Sequence, residues 1–134
     1  MARIALADTG FLVALLRERD AHRKWAESQA AEFSPPWLSC EAVLSEAFHL
    51  LADPLGLLEL IRRRQVLIAF EFSREQESVL QLMKRYADLP MGFADACLVR
   101  MAETQPEPVV LTTDAHFRIY RRHSRQVVPC VLPH

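Results

Sequence analysis

The chain has 134 residues and a formal net charge of −1, with 51% hydrophobic and 25% charged residues. That composition supports one buried core and excludes a disordered chain, and the length points to one domain over residues 1–134. The balanced charge is not that of a polybasic nucleic-acid binder, and the three scattered glycines exclude the dinucleotide fingerprint and the P-loop, which need clustered ones.

Residues 3–7 have the pattern of a short strand that ends at Asp8. Phe11, Leu12, Leu15 and Leu16 then recur at helical spacing over 9–17. Asp20 is placed to cap a second helix running through 25–31. Pro35 and Pro36 break the chain, and 37–39 is a very short strand or an extended link. Residues 41–51 have a helical pattern, and Pro54 opens another helix to about Arg64. Residues 66–70 form a strand. Ser73 is placed to cap a helix over 74–87 that ends at Pro90. Residues 93–103 are helical, 109–112 a strand, a short helix follows Asp114, and 127–131 is the last strand. Strands alternating with helices imply βαβ units, a parallel sheet, right-handed crossovers and helices on both faces.

No apolar run approaches the roughly 20 residues that span a bilayer. Asp8 interrupts the one N-terminal stretch that resembles a signal sequence. A cytoplasmic protein without a membrane segment is therefore expected. Cys40, Cys97 and Cys130 are far apart and form no C-x-x-C pair. They are expected to be reduced and buried, with no zinc site.

The informative residues are four acids. Ile4, Leu6 and Asp8 point the same way along the first strand, which sets Asp8 at its carboxyl end. Ligands of open parallel sheets bind beyond those ends. Asp8 is either a site residue or the cap of the next helix. Glu46 has Ala42, Val43 and Leu50 as helical neighbours, so it is expected on an inward, mostly apolar face. Asp95 has Met91, Leu98 and Val99, and is expected to face inward near a helix start. Asp114 follows a strand and precedes a helix, where an ordinary N-cap also fits. Four carboxylates brought together need a cation, and an all-oxygen set favours Mg²⁺ or Mn²⁺. Such metals suit phosphoryl chemistry.

The stretches ALADTGFLVALL (5–16), AHRKWA (21–26), LSCEAVLSEAFHLL (38–51), RYADLPMGFADACLVRMAE (85–103) and LTTDAHFRIYRRHSRQVVPCVLP (111–133) carry a family resemblance. In order and spacing the chain resembles a PIN domain of the VapC-type toxin ribonucleases found in toxin–antitoxin modules. The resemblance implies a three-layer α/β/α sandwich with a mainly parallel sheet of four to five strands. It implies a Mg²⁺- or Mn²⁺-dependent endoribonuclease that hydrolyses RNA phosphodiesters, with Asp8, Glu46, Asp95 and Asp114 as catalytic, metal-binding acids. Asp8 and Asp95 are the surest ligands in such proteins, and Thr112 has a supporting role near the substrate. A homodimer and a small cognate antitoxin are further implications. Relatives often carry an acid where Gly92 stands, and another where His116 stands; both are accessory positions. A catalytically weak or inactive PIN-like module that binds RNA or protein is the alternative.

From Ala115 to the C-terminus there is no acid, but there are Arg118, Arg121, Arg122 and Arg125. If helical, that spacing puts Arg118, Arg121 and Arg122 near one face, which either holds phosphates beside the acids or is a solvated face or an antitoxin contact. Arg62, Arg63 and Arg64 form a second basic run. His22, His49, His116 and His123 are expected to be structural or surface residues, and Trp25 and Trp37 core or interface. The A-D-T-G stretch also occurs in aspartic proteases, but a helical pattern follows it here and no second D-T/S-G is present. A phosphoacceptor receiver domain would need an acid beside Asp8 and a late lysine after a strand, and neither is present.

Overall fold

Strands buried on both faces of a parallel sheet are continuous apolar runs rather than alternating ones. Ile4–Ala7 (β1) and Pro108–Leu111 (β4) are such runs, and they pair in register from Ile4↔Pro108 to Ala7↔Leu111. The computed structural model describes residues 3–134; Met1 and Ala2 lie outside the described residues. The remaining strands are Trp37–Ser39 (β2), Val66–Ile68 (β3), Arg121–Arg122 (β5), Gln126–Val127 (β6) and Cys130–Val131 (β7). Five of the seven form one sheet in the order β3-β2-β1-β4-β7, every pair parallel. β5 and β6 make a separate antiparallel hairpin.

Among the described residues, six helices connect and cover the sheet: Thr9–Leu16 (α1), Arg23–Glu32 (α2), Glu41–Leu50 (α3), Leu55–Arg62 (α4), Phe72–Arg85 (α5) and Phe93–Thr104 (α6). The result is the expected three-layer α/β/α arrangement. α1 packs on α2, α3 and α4, while α6 packs on α5, β1 and β4. Phe11 of α1 meets Trp25 and Trp37 edge-on, at 6.0 and 5.2 Å between ring centroids. Trp37 is buried and Trp25 half-buried, which makes both core residues. Arg100 of α6 reaches Glu75 of α5 at 2.6 Å and Glu103 at 3.2 Å, fixing the two helices together. Cys40 and Cys97 are buried, Cys130 is half-buried, and all three are free.

Several boundaries differ from the sequence pattern for identifiable reasons. α5 starts at Phe72 rather than after Ser73, because the Phe72 ring packs edge-on against Phe93 at 5.0 Å. Asp20 lies one turn ahead of α2: its side chain accepts from the His22 N–H at 2.9 Å, and its carbonyl from Arg23. The last stretch, 127–131, is not one strand. Pro129 interrupts it, leaving Val127 in the β5–β6 hairpin and Cys130 in the main sheet. His123 and Ser124 both have positive φ, 51° and 67°, as the central residues of the turn that the Arg125 N–H closes on the Arg122 carbonyl, within the three-residue loop between β5 and β6.

The strand order places the site. From β1 the chain moves outward through β2 and β3, then returns to the other side of β1 with β4 and β7. The reversal lies between β1 and β4, so their carboxyl ends open the crevice where such sheets bind ligands. Gly10, in the first turn of α1, lets the loop after β4 close on that crevice. A Cβ at Gly10 would clash with Thr113 Oγ1 and come within 2.9 Å of Thr113 Cβ. Alanine is otherwise the better helix former by about 1 kcal/mol. Gly10→Ala is nevertheless expected to destabilise by about 1–3 kcal/mol through overpacking. A thermal melt checks this as a Tm several degrees below wild type.

Candidate active site

Each acid reaches the crevice by a different route. Asp8 is the residue after β1 and the N-cap of α1: Oδ1 accepts from the Thr9 N–H at 2.8 Å. Its other oxygen, Oδ2, accepts from the Thr112 hydroxyl at 2.6 Å. Cap and crevice position thus coexist in one residue. Asp95 is the third residue of α6, and its Oδ2 accepts from the Gly92 N–H at 2.8 Å. Asp114 caps the 3₁₀ turn Ala115–Arg118: its Oδ1 accepts from the His116 N–H at 2.9 Å and lies 2.7 Å from His116 Nδ1. Glu46, in the second half of α3, accepts through Oε2 from the Thr9 hydroxyl at 3.1 Å.

All four line one cleft of about 400 Å³, together with Thr9, Gly10, Val13, Arg17, Asp20, His22, Leu50 and Thr113. The burial of the acids is graded. Asp8 is buried, Asp95 and Asp114 are half-buried, and Glu46 is exposed. The inward face expected for Glu46 is therefore a correction. α3 buries Val43 and Ala47, while Glu46 and Leu50 turn to the cleft rim.

The electrostatics follow from this packing. Burial raises the Asp8 carboxyl from the ordinary aspartate range to about 7, against the hydrogen bonds from Thr112 and Thr9, which lower it. The charges of Asp95 and Asp114 add to the rise. Asp95 is raised as well, first by burial and then by Asp114 and Glu46, while the Gly92 N–H opposes it. The cleft therefore disfavours the very charges its side chains carry, and a cation would relieve that penalty. Among the described residues, no three Asp, Glu, His or Cys side chains converge closely enough to hold an ion as they stand. The fit to a hard divalent cation lies in oxygen-donor chemistry and unmet negative charge, not in a closed coordination shell.

Thr112 is fully buried behind the cleft. Its hydroxyl donates to Asp8 and accepts from the Asp114 N–H at 2.9 Å, so it links two acids and presents no surface to the cleft. This replaces the expected position near the substrate. The expected arginine face is also absent. The 3₁₀ turn ends at Arg118, and Arg121 and Arg122 lie in β5. Arg121 Nη1 donates to the carbonyls of Arg118, Ile119 and Tyr120, and Arg122 Nη1 to Ala102 at 3.1 Å. Arg118 is exposed, and none of the three lines the cleft. Thr9, Gly10 and Arg17 were not singled out from sequence. The threonine and glycine after Asp8 were visible there as A-D-T-G, but only the fold shows that Thr9 bonds Glu46 and that Gly10 leaves room for Thr113.

The PIN domain family matches residues 5–122, a span that includes all four acids. The chain belongs to the PIN domain family. PIN domains are in general nuclease modules, and PIN nucleases usually use divalent metals. No curated protein sequence matches the chain. Among the described residues, no helix is long and apolar enough to cross a membrane.

The raised Asp8 sets a pH dependence for the PIN fold without metal. Its folded pKa lies above its unfolded value, so the folded chain holds a proton that the unfolded chain releases. The resulting stability is complete below about pH 4 and is lost as pH rises through about 7. In EDTA, the Tm of the wild type is expected to fall more steeply between pH 5 and pH 8 than that of Asp8→Asn, which has no charge to bury. Parallel slopes for the two proteins would contradict the buried-carboxylate account.

Proposed function

We propose that this PIN domain is a Mg²⁺- or Mn²⁺-dependent endoribonuclease that hydrolyses RNA phosphodiester bonds, and that it is the toxin of a VapC-type toxin–antitoxin pair. One observation carries the reading: four carboxylates from four separate places in the chain line one cleft at the switch point of the sheet. Asp8 and Asp95 are the principal ligands in this proposal, with Glu46 and Asp114 completing the acidic set. A divalent cation bound there would supply charge neutralisation and an activated water. The chain's own groups supply orientation. Thr9 and Thr112 fix both oxygens of Asp8, Gly92 fixes Asp95, and the Thr9 hydroxyl holds Glu46 toward the cleft. A cytoplasmic setting, a homodimer and a small cognate antitoxin belong to the same proposal.

Two positions favour a second reading, a catalytically weak or inactive module that binds RNA or protein. Gly92 brings no acid beside Asp95, although a Cβ there would meet only Asp95 Oδ2, at an unstrained 3.6 Å. His116 Nδ1 lies against one carboxylate oxygen of Asp114, Oδ1, at 2.7 Å. The two readings separate in one assay on a panel of single-stranded and structured RNAs. The nuclease reading expects cleavage in Mg²⁺ or Mn²⁺ that EDTA abolishes. Asp8→Asn and Asp95→Asn are each expected to reduce it by about 100-fold or more, since even supporting groups around a metal are worth 10–100-fold. RNA binding with no metal-dependent cleavage by the wild type favours the module.

Thr112→Val tests the positioning role of the buried hydroxyl. It removes the donor to Asp8 and the acceptor for the Asp114 N–H in one step. A stability loss of about 1–3 kcal/mol is expected from the groups left unpaired. The rate should fall with little change in KM, because Thr112 touches the acids and not the substrate. A KM effect with an unchanged rate would place Thr112 at the substrate after all.

A further inference from the structure

The acidic cleft holds a fixed cation that the nuclease reading leaves unassigned. Arg17 is the C-cap residue that follows α1, and it lines the cleft together with Asp20 and His22. Among the described residues that line it, Arg17 is the one arginine or lysine. Its guanidinium is tied at two points. Nη1 donates to Asp20 Oδ2 at 3.3 Å, and Nη2 donates to the Leu50 carbonyl at 3.0 Å. Leu50 is the last residue of α3, so the second tie sits at the negative end of that helix dipole. A guanidinium has five N–H donors in a fixed fork, so these bonds leave three for a ligand. The side chain keeps 46% of its surface exposed, while Asp20 beneath it keeps 13%.

We propose that Arg17 is the phosphate clamp of the cleft. It grips a backbone phosphate next to the scissile one and so sets which phosphodiester of a single-stranded RNA lies over Asp8 and Asp95. The inference rests on the nuclease reading above. The physical need is clear from the charges. Asp8, Asp20, Glu46, Asp95 and Asp114 all line the cleft and repel a polyanion. A cation at the acids neutralises the reacting phosphate but not its neighbours. Those neighbours need a fixed positive group at one end of the cleft, and the arginines of the C-terminal segment do not line it. Arginine suits this task because its planar fork can hold Asp20 and a phosphate oxygen at once, whereas lysine offers a point charge. Because Asp20 and Leu50 already hold the fork, little side-chain freedom remains to be lost on binding.

The test measures binding separately from cleavage. A fluorescein-labelled phosphorothioate RNA oligonucleotide, which resists hydrolysis, is titrated by anisotropy with full-length wild type, Arg17→Gln and Arg17→Lys in Mg²⁺ at several salt concentrations. One phosphate contact on a single strand contributes about 0.7 to the slope of log affinity against log salt. Arg17→Gln is therefore expected to bind about fivefold more weakly at 0.1 M salt, with a slope shallower by about 0.7. Arg17→Lys should keep the slope and lose part of the affinity. A purely structural tie between α1 and α3 would instead lower the Tm of Arg17→Gln and leave the slope at the wild-type value, which overturns the clamp. Equal affinities, or no RNA binding by the wild type, overturn it too. Cleavage of the unmodified oligonucleotide is scored apart: a wild type that binds through Arg17 but never cuts refutes the nuclease reading and leaves the clamp standing.

Discussion

The structure depends on one buried carboxylate. Asp8 sits at the end of the central strand, out of water, where an aspartate is costly. Two donors offset part of that cost, the Thr9 N–H at the start of α1 and the Thr112 hydroxyl at the end of β4. Each donor belongs to an element that the fold must place correctly for other reasons. α1 has to begin at Thr9 to bury Phe11 and Leu12, and β4 has to run parallel to β1 in register to Leu111. The acid is therefore held by the core rather than by a loop. What remains unmet is its charge, and that residue of electrostatic cost makes the cleft receptive to a cation.

Thr112 extends the same constraint outward. Its hydroxyl donates a hydrogen bond to Asp8 and accepts one from the Asp114 N–H, so a single buried oxygen links two acids. Thr9 does the equivalent on the other side, with its N–H on Asp8 and its hydroxyl on Glu46. The two threonines flank the aspartate and carry its position to α3 and to the loop after β4. Asp95 stands apart from this network. It is oriented by the Gly92 N–H within its own helix, and Arg100 fixes that helix to α5 through Glu75. The site is thus assembled from two parts, the sheet ends with α1 and α3, and the α5–α6 pair.

Much of this was legible in the sequence because it rests on local chemistry. The apolar runs at β1 and β4, the helical spacing of Phe11, Leu12, Leu15 and Leu16, and Asp8 between strand and helix all name their positions without tertiary information. Glu46 was misplaced because helical periodicity tells which residues share a stripe, not whether that stripe meets core or cleft. Leu50 on the same stripe is half exposed, so an apolar neighbour was no sign of burial. The C-terminal arginines failed for a related reason. Helical spacing was assumed over a segment that becomes a 3₁₀ turn and a tight hairpin, whose two left-handed residues, His123 and Ser124, give no glycine signal.

The same failure explains where positive charge belongs in this molecule. A run of arginines attracts notice in a sequence, but backbone carbonyls compete for guanidinium groups once the chain is folded. Arg121 satisfies three carbonyls of its own turn, and Arg122 turns to Ala102. Arg17 belongs to no arginine run, yet it lines the cleft with the acids. Its ties to Asp20 and to the end of α3 consume part of its donor capacity and orient the rest. An isolated cation held by an acid at the edge of an acidic cleft is the arrangement that a polyanionic substrate requires. The surrounding carboxylates repel a bare anion, so the ligand that suits this arginine is one whose neighbouring charge a cation neutralises at the acids.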